Sequence, residues 1–360
     1  MGKSRLGDYI KEYSVKNKND EDIPVYSVTN TQGFCKDYFG KEVASKDKTT
    51  YKIVPRGCFA YNPSRINVGS VDWQRNEDRV IVSPLYNVFS VSEELNLQYL
   101  YYYLKSDFAL QRIRAVATGS VRDNLKLNML YEFPINIPTI DEQNILVDKL
   151  DKVRKIIALH QEELKLLDEL VRSRFVELFG DPVENPKGWK VVSIGEIVKD
   201  VRYGTSRSAV EGGRYPYLRM NNLTADGYLD LNDLKYIDIP DDELEKCLVK
   251  KGDVLFNRTN SIELVGKTAV FNLSEEMVIA GYIIRIRLNE KILPEVLSQY
   301  MNLEALKKVL RGMAKGAVNQ ANINAQELQR IKVYLPDMEL QKQFIDVKNQ
   351  IDKSKLIVQK

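Results

Sequence analysis

From Leu146 onward, apolar residues fall at Leu150, Val153 and Ile157, then His160, then Leu164, Leu167 and Val171, in alternating steps of four and three. That spacing marks a seam along one helix face, so it predicts a long helix over 139–180 that pairs with another helix. Phe175 and Leu178 continue the apolar face after a change of phase, the outer positions carry both charge signs, and Gly180-Asp181-Pro182 supplies the stop. A second such helix is predicted over 337–360, with Phe344, Val347, Ile351 and Val358 on one face and Ser354 as the polar exception. His160 sits on the first seam, where a polar residue is expected to set register or pack.

Elsewhere the pattern is shorter in period. Ile284, Ile286 and Leu288 alternate with Arg285 and Arg287, which predicts a strand with one buried face, and 252–257 predicts a glycine turn leading into another strand. Pro294 then opens a helix whose stripe is Leu297, Tyr300, Met301, Leu306 and Val309, until Gly312. The first half follows the same plan: Leu97, Leu100, Leu104 and Phe108 form a stripe ending by Gly119, and a final short strand at 133–137 answers one at 331–335.

The similarity extends to register. Val54-Pro55-Arg56-Gly57 and Asn62 stand opposite Val249-Lys250-Lys251-Gly252 and Asn257 at a spacing of 195. Gly119 and Val121 match Gly316 and Val318 at 197, while Asn124, Pro138 and Gln143 match Asn322, Pro336 and Gln341 at 198. Preserved order with a small drift is the signature of an internal duplication. The expected architecture is α+β: similar lobes at 1–138 and 181–336, each followed by a long helix, at 139–180 and 337–360, with a coiled-coil seam.

Charge adds little at the level of the whole chain. Of 360 residues, 53 are Lys or Arg and 50 Asp or Glu, a net charge of +3, so any nucleic-acid partner must be argued from where the charges fall. A single histidine argues against histidine-pair catalysis. Cys35, Cys58 and Cys247 form no C-x-x-C pair, which argues against a disulfide framework or thiolate zinc. The N-terminus lacks a signal-peptide pattern and no window approaches 18 apolar residues, so a cytoplasmic protein without membrane contact is expected. Gly266-Lys267-Thr268 has Ser261 where a phosphate-binding loop needs glycine. Asn62-Pro63-Ser64-Arg65 lacks the second proline and the aromatic of an amino-methyltransferase signature, and Asp346 and Lys348 lie on the terminal helix without a partner aspartate. No catalytic or metal-ligating residue is nominated.

Two polar clusters recur in both halves. Before the final strand of the second lobe come Lys307, Lys308, Arg311, Lys315, Asn319, Gln320, Asn322 and Asn324 with no acid among them, and in the first lobe Lys105, Arg112, Arg114, Arg122, Asn124 and Lys126. After the glycine turn come Asn62, Ser64, Arg65 and Asn67 in one lobe and Asn257, Arg258, Thr259 and Asn260 in the other. Cations attract phosphate, and amide and guanidinium groups match the donor and acceptor edges of bases. The candidate DNA contacts are therefore Asn62, Ser64, Arg65, Asn67, Arg122, Asn124 and Lys126 in the first lobe. In the second they are Asn257, Arg258, Thr259, Asn260, Lys315, Asn319, Gln320 and Asn322.

Both lobes run into their helices through Ile137-Pro138-Thr139-Ile140-Asp141-Glu142-Gln143 and Leu335-Pro336-Asp337-Met338-Glu339-Leu340-Gln341. Together with the Leu164-Lys165-Leu166-Leu167-Asp168 run, Phe179-Gly180-Asp181-Pro182 and Gly188-Trp189-Lys190-Val191, these resemble the specificity subunit of type I restriction-modification systems over nearly the entire chain. The resemblance implies two target-recognition domains held apart by antiparallel helices, each reading one half of a split double-stranded DNA site across an unread spacer. It also implies a chain without chemistry of its own that positions two modification subunits, which methylate adenine with S-adenosylmethionine, and two restriction subunits. Cofactors, including ATP and magnesium, are then expected on the partners and none here.

The second helix is predicted at about 22 residues against about 39, roughly 33 and 58 Å. That leaves the seam from Leu146 to Ile157 open to another protein or to self-association with a second copy. A non-catalytic coiled-coil scaffold would explain the helices but not the paired polar clusters. A self-contained DNA-modifying enzyme would need a catalytic signature that the sequence lacks.

Overall fold

The computed structural model describes residues 4–36, 47–117, 124–317 and 320–358. Contacts divide the chain into two units, 1–157 and 158–360, with the boundary inside the long helix. In the first unit β1 (Ile10–Glu12), β2 (Phe59–Tyr61), β3 (Val71–Trp73) and β4 (Asn87–Val91) form an antiparallel sheet in the order β1-β4-β2-β3. Phe59 and Phe89 pair across neighbouring strands with ring centroids 5.2 Å apart. Their face is covered by α1 (Leu97–Lys105) and α2 (Asp107–Val116) through Leu100, Leu104 and Ile113, all fully buried.

The second unit repeats this frame. After the helix α3 (Ile140–Phe179), β5 (Val198–Tyr203), β6 (Val254–Asn257), β8 (Thr268–Val270) and β9 (Ile283–Leu288) pair antiparallel in the order β5-β9-β6-β8, with the short β7 (Thr259–Asn260) following β6 in the chain. This is the strand order of the first sheet. It is covered by α4 (Pro294–Asn302) and α5 (Glu304–Met313). The glycine turns correspond too: Gly57 and Gly252 both adopt the left-handed conformation, at φ 84° and 94°, that L side chains avoid.

Three sequence expectations change here. The single helix expected in each lobe is two, broken where Ser106 and Leu303 turn extended; the Ser106 hydroxyl caps α2 by accepting the Ala109 N–H. Phe108 and Val309, read as stripe residues, are consequently exposed. The alternation over 284–288 does not mark a solvent face. Arg285 is fully buried, bonded to Asp200 at 2.7 Å and to the carbonyls of Glu245 and Leu248, and Arg287 pairs with Asp253 at 3.0 Å.

Each long helix is locked to its lobe by a buried glutamine. Gln143 accepts the Asn96 N–H at 2.8 Å and donates to the carbonyls of Glu94 and Pro138, both at 2.9 Å. Gln341 accepts the Leu293 N–H at 2.9 Å and donates to Lys291 and Pro336 at 3.2 and 2.8 Å. The first lobe is therefore met by Gln143, Val147 and Asp151, the last bonded to Tyr102, and not by the predicted seam. Leu146, Leu150, Val153 and Ile157 are 40, 41, 52 and 52% exposed. His160 is exposed as well, so the packing role expected for it finds no support.

In the second unit, α6 (Met338–Val358) runs antiparallel to the end of α3. Phe344 wedges against Phe175 and Phe179 at 5.2 and 5.7 Å, and one end further on Lys355 bonds Asp168 at 2.5 Å. Tyr228 seals this end, donating to Asp352 and accepting from Lys355, both at 2.7 Å. Gly180 ends α3 at φ 87°, its carbonyl accepting from the buried Tyr334 hydroxyl at 2.9 Å.

Candidate nucleic-acid interface

In the second lobe the two polar clusters, separated by more than fifty residues of chain, meet in one small sheet. β10 (Lys315–Ala317) and β11 (Gln320–Asn322) form a hairpin, and β7 pairs with β11, giving the order β7-β11-β10. Thr259 faces Asn322 and Asn260 faces Ala321. Side chains reinforce the register: the buried Thr259 hydroxyl donates to Asn322 Oδ1 at 2.9 Å. The sequence pattern predicts no strand here; the strands arise from pairing and not from intrinsic preference, since Lys-Gly-Ala and Gln-Ala-Asn are poor strand formers. Lys315 and Gln320 are placed by their backbone in this hairpin, and Asn319 lies outside the described residues.

Asn257 differs from the expectation of a presented amide. It is fully buried, its NH₂ donates to the carbonyls of Thr259 and Tyr282, both at 3.1 Å, and its oxygen accepts from Asn260 at 2.8 Å. No donor remains, so it shapes the turn that carries its neighbours. Arg258 is half-buried with its guanidinium carbon 5.0 Å from the Tyr203 ring centroid and Nη1 3.4 Å from the Gly281 carbonyl. Tyr203 was missed by the sequence reading. It ends β5, is 43% exposed, and its hydroxyl accepts the Ala325 N–H at 2.8 Å. The available signal was an Arg-Tyr pair at the point where strand alternation stops before Gly204.

The first lobe brings the matching segments together by the same peptide contact. Leu125 N–H donates to the Pro63 carbonyl at 3.1 Å, and at the equivalent positions Ile323 N–H donates to the Arg258 carbonyl at 2.9 Å. Asn62 accepts from the Ser64 amide and hydroxyl at 3.1 and 2.9 Å, forming a side-chain turn. Arg65, Asn124 and Lys126 are exposed, and Asn67 is half-buried with its carbonyl receiving Arg114 Nε at 3.2 Å. Arg122 lies outside the described residues.

Several cations read from sequence as phosphate attractors are engaged elsewhere. Lys307 is buried with its ammonium on the Gly266 carbonyl at 2.5 Å, and burial together with the nearby Arg311 and Lys267 charges pushes it down to about 7. Arg311 pairs with Glu304 at 2.7 Å, and Lys105 binds the carbonyls of Asn30 and Gly69. Among the described residues no three His, Cys, Asp or Glu side chains gather to hold a metal ion, and no helix is long and apolar enough to cross a membrane.

Comparison with known proteins agrees with this duplicated frame. The chain is 31% identical over 173 residues to the putative type I restriction enzyme MjaX specificity subunit of Methanocaldococcus jannaschii, covering 47% of this chain and 40% of that protein. It is 22% identical over 357 residues to the type I restriction enzyme EcoKI specificity subunit of Escherichia coli K12, covering 94% and 77%. Its fold is similar to the type I restriction-modification S subunit from M. genitalium, with a TM-score of 0.55 at 17% identity over 99% of this chain and 90% of that one. A chain from a structure described as underlying complex assembly and conformational transition of the type I R-M system gives 0.56 at 20% identity, with the same coverages. The sequence profile of the type I restriction modification DNA specificity domain matches twice, at 3–169 and 186–360. Each match takes in one lobe and helix sequence beyond its glutamine lock, and the chain belongs to this DNA specificity family.

Proposed function

We propose that the chain is the DNA-recognition subunit of a type I restriction-modification complex, in which each lobe reads one half of a split double-stranded site. The observation that carries this is the shared peptide contact, Leu125 to Pro63 and Ile323 to Arg258, which joins two polar segments into one surface in each lobe. A common backbone frame carries different side chains: Pro63 and Arg65 in one lobe, Arg258 and Asn260 in the other. Two lobes built alike but furnished differently suit two different half-sites on one duplex.

On this reading the chain holds partners and performs no chemistry. Two modification subunits would carry S-adenosylmethionine and two restriction subunits ATP and magnesium. The test is exchange of residues 183–335 for the matching lobe of a relative, followed by methylome sequencing of cells carrying the modification subunit. One half of the methylated motif should change and the other stay; a change in both halves, or in neither, refutes modular reading. A chain that fails to bind DNA even with its methyltransferase partner would favour a scaffold.

A further inference from the structure

We propose that Arg258 reads a guanine in the major groove of the second lobe's half-site. This rests on the second lobe being a DNA-reading domain and assigns one specificity-determining residue within it.

The first argument is charge pairing. In this unit the arginines that lie partly inside the protein have carboxylate partners: Arg219 with Asp233 at 2.8 Å, Arg285 with Asp200 at 2.7 Å, Arg287 with Asp253 at 3.0 Å. Arg258 is half-buried and has no carboxylate among the described residues. Its Nε is buried without an acceptor, as are those of Arg219 and Arg285, but Arg258 alone of these lacks a carboxylate, and beyond the long contact from Nη1 to Gly281 its guanidinium makes no hydrogen bond among the described residues. A half-buried guanidinium charge without a counter-charge is a cost in the free protein that an incoming acceptor lowers.

The second argument is orientation. The Tyr203 ring and the Gly281 carbonyl hold the guanidinium in place before any ligand arrives, so little side-chain freedom remains to be lost on binding. A planar fork held in this way matches the O6 and N7 acceptors of guanine, the commonest specific arginine contact in the major groove.

The third argument separates a base from a phosphate. Arg258 occupies the position that in the first lobe is Pro63, and in both the backbone carbonyl accepts the N–H of the joining contact. Lobes docked alike on one duplex need phosphate anchors at equivalent places, because every backbone is the same. A side chain present in one lobe and absent from its equivalent suits sequence reading.

The experiment uses the full chain with its modification subunit, comparing R258A, R258K and the unaltered protein on DNA. Discrimination at one guanine of the second half-site should fall about tenfold to a hundredfold in R258A, with the first half unchanged. R258K should lose the same discrimination, since an ammonium keeps the charge but not the fork. The unaltered complex should weaken comparably when 7-deazaguanine replaces that guanine, a measurement that needs no folded variant. Insensitivity of every guanine in the second half-site to this replacement, or an intact motif with both variants, overturns the proposal. So does uniform weakening on all sequences with the salt slope reduced by about one, which marks a phosphate contact. Failure of the underlying reading would instead appear as lobe exchange leaving the motif untouched, whatever residue stands at 258.

Discussion

Replacing Gln341 by leucine should destabilise the second unit selectively. The side chain is fully buried and serves three backbone groups, the Leu293 N–H and the carbonyls of Lys291 and Pro336. Leaving the buried Pro336 carbonyl and two part-buried groups without this partner costs about 3 to 6 kcal/mol, and burying leucine in place of an amide returns about 1 to 2, for a net loss of about 1 to 5 kcal/mol. With a urea dependence of about 2 kcal/mol/M, the midpoint should fall by about 0.5 to 2.5 M. The chain carries its own reporters, since its two tryptophans, Trp73 and Trp189, fall in different units. Fluorescence in a Trp73→Phe background follows the second unit, and in a Trp189→Phe background the first. Q341L should move the first signal and spare the other, while Q143L should do the reverse. Q341E should be worse near neutrality, where a carboxylate faces two carbonyls, and recover partly in acid once its proton can be donated. A Q341L midpoint within 0.2 M of its parent would refute the lock.

Other outcomes follow from the same contacts. Lys307 is held at about 7 in the fold, below its ordinary value of 10.5. Between these two pH values the unfolded chain binds more protons, so stability should rise with pH across that window, and K307M should flatten the rise in urea midpoints measured from pH 7 to 10. Y228F removes the hydroxyl shared by Asp352 and Lys355. It should cost about 1 to 2 kcal/mol and speed amide exchange at the end of α6 before elsewhere; unchanged exchange would deny the seal its role. Four residues inserted in α3 after Ile157 add about 6 Å of helix with only about 40° of rotation, and the methylated motif should gain one or two unread base pairs between unchanged halves. Original spacing from an active complex would show that the helix does not set the separation.

What the sequence made legible was what depends on period and punctuation. The four-three spacing located α3, and Gly180-Asp181-Pro182 located its end at Phe179. What a face touches is another matter, because it depends on elements distant in sequence. The stripe from Leu146 to Ile157 is exposed, as the shorter second helix led one to expect, but nothing in the sequence marked Gln143 and Val147 as the residues that meet the first lobe. Charge misled for the same reason: Arg285 and Lys307 look like solvent-facing cations until Asp200 and the Gly266 carbonyl come from elsewhere in the chain to receive them. The break at Ser106 had a readable cap residue; the one at Leu303 carries no local signal and is imposed by packing of α4 and α5. At the candidate interface, sequence could not foresee that the polar segments would pair as β7, β11 and β10.

That pairing alters what recurrence between the lobes means. Polar residues repeated in both copies first suggested a shared role at DNA, but the two best-matched ones behave otherwise. Asn62 turns its oxygen back onto Ser64, and Asn257 is buried with both amide protons engaged. Asn322, matched by Asn124, holds Thr259 in register. Identity between lobes therefore marks residues that build the frame, which both copies need. If the lobes read different half-sites, base contacts are expected where the frame is kept and the side chain is neither shared nor buried: Pro63 against Arg258 and Arg65 against Asn260. A half-site preference that followed exchange of these two pairs alone, without the rest of either lobe, would locate specificity on the turn. Preference that stayed with the hairpin from Lys315 to Asn322 would move it to the neighbouring strands.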